Sequence, residues 1–453
     1  MKTYKIVLFI FTIILALGII CYIFPSTGIH IGPYELKFAS LEKVLTNKNP
    51  ELEATQIKEV VKMEEVIKDT VLANQQDSTE FYKNLIENHE SRIYLPNNDL
   101  TFFNAFFAKA AAARAQGRTV RVLHYGDSQI EMDRISSNLR RFFQSKFGGG
   151  GPGLAPVKPT IGSSTFVQGS GDLTLYSVFG PGKRDSEKKY GILTKYFKVH
   201  SAASCRITRV STNHVRLLLS NHGPFTATLS GNEYEEEKSC DSVPGFHVFD
   251  WRLPQSMTNL TLKMSGAADL YGVMVDNGAG IAVDNIPMRG SSGTVFSGMN
   301  TALLQQSFNQ TDVGMIILQF GGNSMPAITT KQQVDGYASS IGRQIRFLRQ
   351  IFPNIPILFI GPSDMSHSYD GHMESYKLME DMVEALKRTA LSNGAAFWNI
   401  YEVMGGHNSM LAWVHQGLAG GDYVHFTPAG ANRIGGLLVD AFSTIYEYYS
   451  LKH

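Results

Sequence analysis

Apolar residues recur along this chain in two rhythms, and the change between them divides it. In one rhythm, short continuous apolar runs alternate with helical patterns. Val120-Arg121-Val122-Leu123-His124-Tyr125 runs into Gly126-Asp127-Ser128, and a helical pattern follows from Ile130 through Ile135, Leu139, Phe142 and Phe143 to Gly148. Ahead of it, Asp99 is placed to cap a helix through Phe102, Phe103, Phe106 and Phe107 that ends near Gly117. Later, 271–275 and 280–286 read as strands, and 313–320 is an apolar run of the kind buried in a parallel sheet. Tyr337, Ile341, Ile345, Leu348 and Ile351 mark a helix, and 355–360 a strand. A helix over 376–391, a strand over 395–400 and a last helix over 429–449 complete the series. Repeated strand–helix units predict an α/β fold, a three-layer α/β/α parallel sheet.

From about 158 to 268 the second rhythm takes over. Short β-like runs at 194–199, 206–210, 215–219, 225–229, 247–251 and 260–264 are punctuated by Gly, Ser, Asn and Pro. Strands at that spacing without helices predict an inserted β-sandwich. Tyr176, Tyr190, Tyr196, Tyr234 and Trp251 fall in it, as core residues or as platforms for sugars. The glycine run from Phe147 to Gly153 lacks the Gly-Lys-Ser/Thr ending of a phosphate loop and follows a helix, so it predicts a flexible exit into the insertion.

The N-terminus is different again. Lys2 and Lys5 precede 19 uncharged residues, Ile6 to Phe24, enough to span a bilayer, with the positive flank keeping the N-terminus in the cytoplasm. The competing reading is a cleaved signal peptide, but no Ala-x-Ala site follows. Residues 25–95 read as a stalk, with an amphipathic pattern between Glu51 and Asn74. The expected organisation is therefore an anchor (1–24), a stalk or linker (25–95), an α/β domain (96–157 and 269–453) and the β-sandwich (158–268).

Composition narrows the function. With 43% hydrophobic and 18% charged residues, the 453-residue chain is globular, and a net charge of +1 gives no electrostatic case for nucleic acid. Outside the anchor only Cys205 and Cys240 remain, either as one disulfide of an exported domain or as two thiols.

Four short blocks, each following an apolar run, carry the candidate chemistry: Gly126-Asp127-Ser128, Met288-Arg289-Gly290-Ser291, Gly321-Gly322-Asn323-Ser324 and Asp422-Tyr423-Val424-His425, the last before Thr427 and Pro428, a good helix start. Serine needs a base to become a nucleophile, and imidazole titrates in the useful range. A carboxylate on the far ring nitrogen fixes the tautomer, and N–H groups hold the oxyanion. In kind and order these blocks resemble the SGNH (GDSL-type) hydrolases. That resemblance implies Ser128 as nucleophile, His425 as base, Asp422 as its orienting carboxylate, and Ser128, Gly290 and Asn323 as the oxyanion hole, with no cofactor. The chain reads Gly-Asp-Ser-Gln where Gly-Asp-Ser-Leu is usual, and Gly-Gly-Asn-Ser where Gly-x-Asn-Asp is common. An insertion between the first two blocks is similar to that of peptidoglycan O-acetylesterases.

The expectation is thus a membrane-anchored, outward-facing serine esterase acting on an acylated, most simply O-acetylated, glycan of the periplasm or cell surface. O-acetyltransfer with the same triad, and a silent carbohydrate-binding protein, are the alternatives. A further cluster, Asp364, His367, Asp370 and His372, follows a strand, but its spacing fits no metal pattern, so no metal is expected.

Overall fold

The computed structural model describes Thr12, 29–31, 34–36, 78–162 and 166–453. The chain divides into one unit reaching to Val71 and a second running from Leu72 to His453. In the first, β1 (Ile29–Ile31) and β2 (Tyr34–Leu36) form an antiparallel hairpin. The run expected to cross a membrane, 1–24, lies outside the described residues apart from Thr12, as does the amphipathic pattern of the stalk. Among the described residues no helix is long and apolar enough to cross a membrane.

In the second unit the stalk expectation fails from Ser78 onward. Helix α1 (Ser78–Asn88) buries Ile86, and β3 (Ile93–Tyr94) buries Ile93 at the edge of the main sheet. Apolar positions this few make no legible periodicity, yet they find a covered surface. Helix α2 (Asn104–Ala113) starts later than expected, because the Asp99 carboxylate accepts from the N–H and hydroxyl of Thr101 in a local turn instead of capping it. After β4 (Thr119–Gly126) comes a 3-10 turn, Ser128–Asp133, and then α3 (Ser136–Phe147).

The insertion consists of β5 (Gly153–Ala155), β6 (Val167–Ser177), β7 (Lys195–Ile207), β8 (Thr212–Gly231), β9 (Tyr234–Cys240), β10 (Phe246–Met257) and β11 (Leu260–Asp276). The chain returns to the main sheet at β12 (Gly280–Pro287) and continues with α4 (Thr301–Thr311), β13 (Val313–Gln319), α5 (Lys331–Ile351), β14 (Ile357–Ile360), the hairpin β15 (Ser366–Tyr369) and β16 (His372–Ser375), α6 (Met379–Ser392), β17 (Ala396–Trp398), α7 (Ile400–Val403), α8 (Ser409–His415) and α9 (Pro428–Ser450).

The main sheet has the order β12-β4-β13-β14-β17-β3, parallel throughout except for β3. Alternate side chains of its strands enter different cores. Leu123, Tyr125, Ile316, Leu318 and Phe359 meet α4, α5 and α6 on one face. Val120, Val122, Ile317, Leu358 and Ile360 meet α2, α3 and α9 on the other. This is the three-layer α/β/α arrangement.

The strands of the insertion join one continuous antiparallel sheet, β10-β8-β11-β7-β6 with β9 and β5 added at the sides, around a core of its own. It reaches beyond 158–268 at both ends. The run 271–275, read as a strand of the α/β domain, is the last part of β11, and β8 swallows two expected strands. Tyr190, Tyr196 and Trp251 are buried, which removes them as sugar platforms; Tyr176 stacks on Tyr196 with centroids 4.9 Å apart. Cys205 and Cys240 are free thiols.

The glycine run is no flexible exit. A Cβ on Gly149 would stand 2.3 Å from the Ile281 carbonyl oxygen, and one on Gly151 2.5 Å from that of Val275, so the chain crosses β11 and β12 at backbone contact. Beside this crossing lies a buried ionic hub. Asp276 accepts from the guanidiniums of Arg121 and Arg216, from His214 Nδ1–H at 2.8 Å and from the Gly278 N–H at 2.9 Å. Asp284 accepts from Arg121 at 2.8 Å and from the Leu154 N–H at 2.7 Å.

Candidate active site

Ser128 stands where β4 ends. The preceding residue, Asp127, is buried and turns the chain by accepting the Gln129 N–H on Oδ1 at 2.9 Å. An α-helix was expected to open directly at this point. Instead the 3-10 turn breaks at Glu131 and Met132, the latter with φ 55°, and the α-helix begins only at Ser136. Arg134 holds the irregular turn: its guanidinium donates to the carbonyls of Ser128, Glu131 and Phe426 at 2.6, 3.0 and 3.0 Å. Ser128 is therefore fixed by side-chain bonding rather than by a helix terminus.

The loop before α9 brings up the base. Thr427 accepts the Gly430 N–H and Pro428 opens the helix. Asp422 Oδ1 accepts the N–H groups of Val424 and His425 at 3.1 and 3.0 Å, a local turn that aims Oδ2 at the ring. His425 Nδ1 lies 2.7 Å from Asp422 Oδ2, and Nε2 lies 2.8 Å from Ser128 Oγ. A carboxylate only accepts, so Nδ1 carries the proton and Nε2 is free to accept from the serine hydroxyl. Burial alone would raise the Asp422 carboxyl, but the His425 ring and the N–H groups of His425 and Val424 outweigh it and hold the group below its ordinary value.

Ser128, Asp422, His425, Gly290 and Asn323 all line one cavity of about 580 Å³. Gly290 has φ 77°, and a Cβ there would meet nothing closer than Phe179 at 3.9 Å. Backbone conformation, not crowding, is what asks for glycine at this position. Asn323 Nδ2 donates at 3.2 Å both to Asp127 Oδ2 and to the Ser291 carbonyl, so an incoming anion has to share or displace one of these long bonds.

Burial pushes the Asp127 carboxyl up from 3.8 to about 6, with the Gln129 N–H and the nearby His425 working against it. A carboxyl raised in the native state stabilises folding below its unfolded value and loses that contribution as pH climbs through its folded value. The swing is on the order of 3 kcal/mol. Asp127→Asn cannot titrate, so its stability relative to wild type in urea denaturation should rise by about that much between roughly pH 4 and pH 7. Parallel curves for the two proteins would contradict this assignment.

Two further features of the site belong to no motif in the sequence. Gln129 Nε2 donates to the Val424 carbonyl at 2.7 Å and its Oε1 accepts the Phe426 N–H at 3.3 Å, so one side chain brackets His425 from both sides. The signal was the polar residue after Gly-Asp-Ser. Arg289 also forks onto the Glu131 carboxylate, both bonds 2.5 Å, at the cavity wall. There the insertion touches the site: Met132 N–H donates to the Gly162 carbonyl at 2.9 Å. The cluster at 364–372 is not brought together as a ligand set, and among the described residues no group of His, Cys, Asp and Glu could hold a metal ion.

No protein-family model matches the sequence, and no curated protein matches it. Among solved structures, that of a peptidoglycan O-acetylesterase is similar over 78% of this chain and 97% of its own, at 22% identity and a TM-score of 0.62. Likeness at that identity shows a shared fold. A family two carbohydrate esterase from Cellvibrio japonicus aligns over 65% of this chain and 98% of its own, at 10% identity and a TM-score of 0.26, too low to bear on the fold.

Proposed function

We propose, from the shared fold and the Ser128–His425–Asp422 line, that this protein is a serine esterase removing O-acetyl groups from a carbohydrate through an acyl-serine. The observation that carries the reading is the 2.8 Å contact of Ser128 Oγ with an imidazole whose other nitrogen lies 2.7 Å from a carboxylate. Ser128 Oγ attacks the ester carbonyl while His425 Nε2 takes its proton. The oxyanion is held by the N–H groups of Ser128 and Gly290 and by Asn323 Nδ2. The C–O bond to the sugar breaks, the sugar oxygen takes the proton from Nε2, and acetyl remains on Ser128. Water then repeats the sequence, giving up its proton to Nε2, and acetate leaves as Ser128 regains its hydrogen.

Carbohydrate as the substrate is supported by a neighbour in fold that is a peptidoglycan O-acetylesterase. An outward-facing position is supported by Lys2, Lys5 and the uncharged run at 6–24. The test is acetate release by the full-length protein from O-acetylated glycan and from a chromogenic acetyl ester. Release unaltered by added acceptor sugars identifies hydrolysis rather than transfer. No release from either substrate would remove the proposal.

Asp422→Asn is expected to keep the fold and lose about 10³-fold in kcat, somewhat less than for a buried triad carboxylate, because the Asp422 side chain is 53% exposed and water can partly replace it. Near-normal turnover with an unchanged melting temperature would show that another group orients His425.

A further inference from the structure

The hairpin β15–β16 carries the cluster that the sequence singled out and the esterase chemistry leaves unused. Its base is locked. Asp364 Oδ1 accepts from the Ser375 hydroxyl at 2.6 Å, Oδ2 from the Met410 N–H at 2.8 Å, and Ser375 and Asn408 exchange two further bonds. It is also tied to the catalytic loop, because Ser366 N–H donates to the Tyr423 carbonyl, next to Asp422, at 3.1 Å. Met365, one residue before the hairpin, lines the cavity, and its carbonyl accepts the Tyr376 N–H at 3.1 Å.

From that point a row of rings leads away. The His367 ring lies nearly parallel to Tyr376, centroids 5.5 Å apart, and meets Tyr369 edge-on at 5.3 Å. Lys377 Nζ stands 4.9 Å from the Tyr369 centroid. Pairing places His367 opposite Glu374 and Tyr369 opposite His372, so ring faces and hydrogen-bonding edges share one face of the hairpin. His367 is exposed and Tyr369 and Tyr376 are half-buried, on an element that reaches solvent at Asp370 and Gly371.

We propose that this ring row is a glycan subsite, holding the sugars that adjoin the acylated one; the inference rests on the esterase reading and deepens it. The mechanism fixes the side. The leaving sugar oxygen must receive its proton from His425 Nε2, so the glycan lies toward His425 while the acyl oxygen lies toward Gly290 and Asn323. The hairpin is bonded to the loop that carries His425. Pyranose rings present C–H faces that pack on aromatic faces, and hydroxyl rims that pair with groups such as imidazole, phenol and the Glu374 carboxylate.

The test compares full-length wild type with His367→Ala/Tyr369→Ala on two substrates: a chromogenic acetyl ester too small to reach the row, and O-acetylated peptidoglycan fragments several sugars long. The double variant should raise KM for the fragments about tenfold with kcat little changed, and leave kcat/KM for the small ester within about twofold. Tyr369→Phe, which keeps the ring face, should retain most of the wild-type KM. Unchanged KM for the fragments, with the small ester still turned over, overturns the subsite and leaves the esterase standing. Equal losses on both substrates also overturn it, since they mark a disturbed catalytic loop. A wild type that turns over neither substrate overturns the esterase reading and the subsite with it.

Discussion

Ser128→Ala, His425→Ala and the double variant are each expected to lose about 10⁶-fold in kcat on an acetyl ester, with the double variant no worse than either single one. The proposed mechanism makes hydroxyl and imidazole one unit across the 2.8 Å contact. Without Nε2 the hydroxyl keeps its proton, and without the hydroxyl the imidazole has nothing to activate. On the proposed mechanism, what survives in all three proteins is binding and the oxyanion donors assigned to Gly290 and Asn323. Thermal unfolding should be little changed, because both side chains face the cavity rather than a core. Multiplicative losses in the double variant, or more than about a tenth of wild-type kcat in His425→Ala, would mean that another base serves Ser128.

Asp276→Leu is expected to cost about 3–5 kcal/mol of stability, read as a fall in the urea midpoint. Asp276 is almost wholly buried, and removing it strands Arg121, Arg216 and His214 with their charge only partly answered by Asp284 and Asp250. Burial alone would raise its carboxyl, but the hydrogen bond from His214 and the guanidiniums of Arg121 and Arg216 outweigh that and hold it well below the ordinary carboxylate range. A depressed carboxyl contributes stability above its unfolded value and loses it as pH falls toward the folded one. The gap between variant and wild type should therefore persist at neutral pH and narrow only below about pH 4. A neutral effect at pH 7 would show that the hub is tolerated rather than stabilising.

The main sheet was legible because its strands are continuous apolar runs buried on both faces: Val313–Gln319 is buried at every position. The insertion was legible as β-rich but not in outline. Its long strand β11 shifts register at Gly266–Ala268 and Leu270–Gly272, and Leu218 faces the α/β core while Leu217 and Leu219 face the insertion's own, so no single alternation marks where one sheet takes over from the other. The edge strand at Ile93–Tyr94 was hidden because two residues make no pattern. In the candidate site, the residue types and their order single out Ser128, Asp422 and His425, which the fold brings within hydrogen-bond reach of one another. Gln129 stands out only as the polar residue after Gly-Asp-Ser, and the bonds that it and Arg134 make were not legible. Both side chains act through backbone carbonyls and N–H groups contributed by remote loops, and any polar side chain of suitable length has the same signature in sequence.

The Gly162 carbonyl that receives the Met132 N–H has an implication for how such a protein can be trimmed or can diversify. The β-rich segment is joined to the cavity wall beside Ser128, and its entry runs along the edge strand β12 of the main sheet with no room for a methyl group. Excising it as a detachable accessory would unseat the bend that presents Ser128. Shortening or enlarging the segment is accordingly expected to be tolerated at its outer rim and not at its seam with the α/β body.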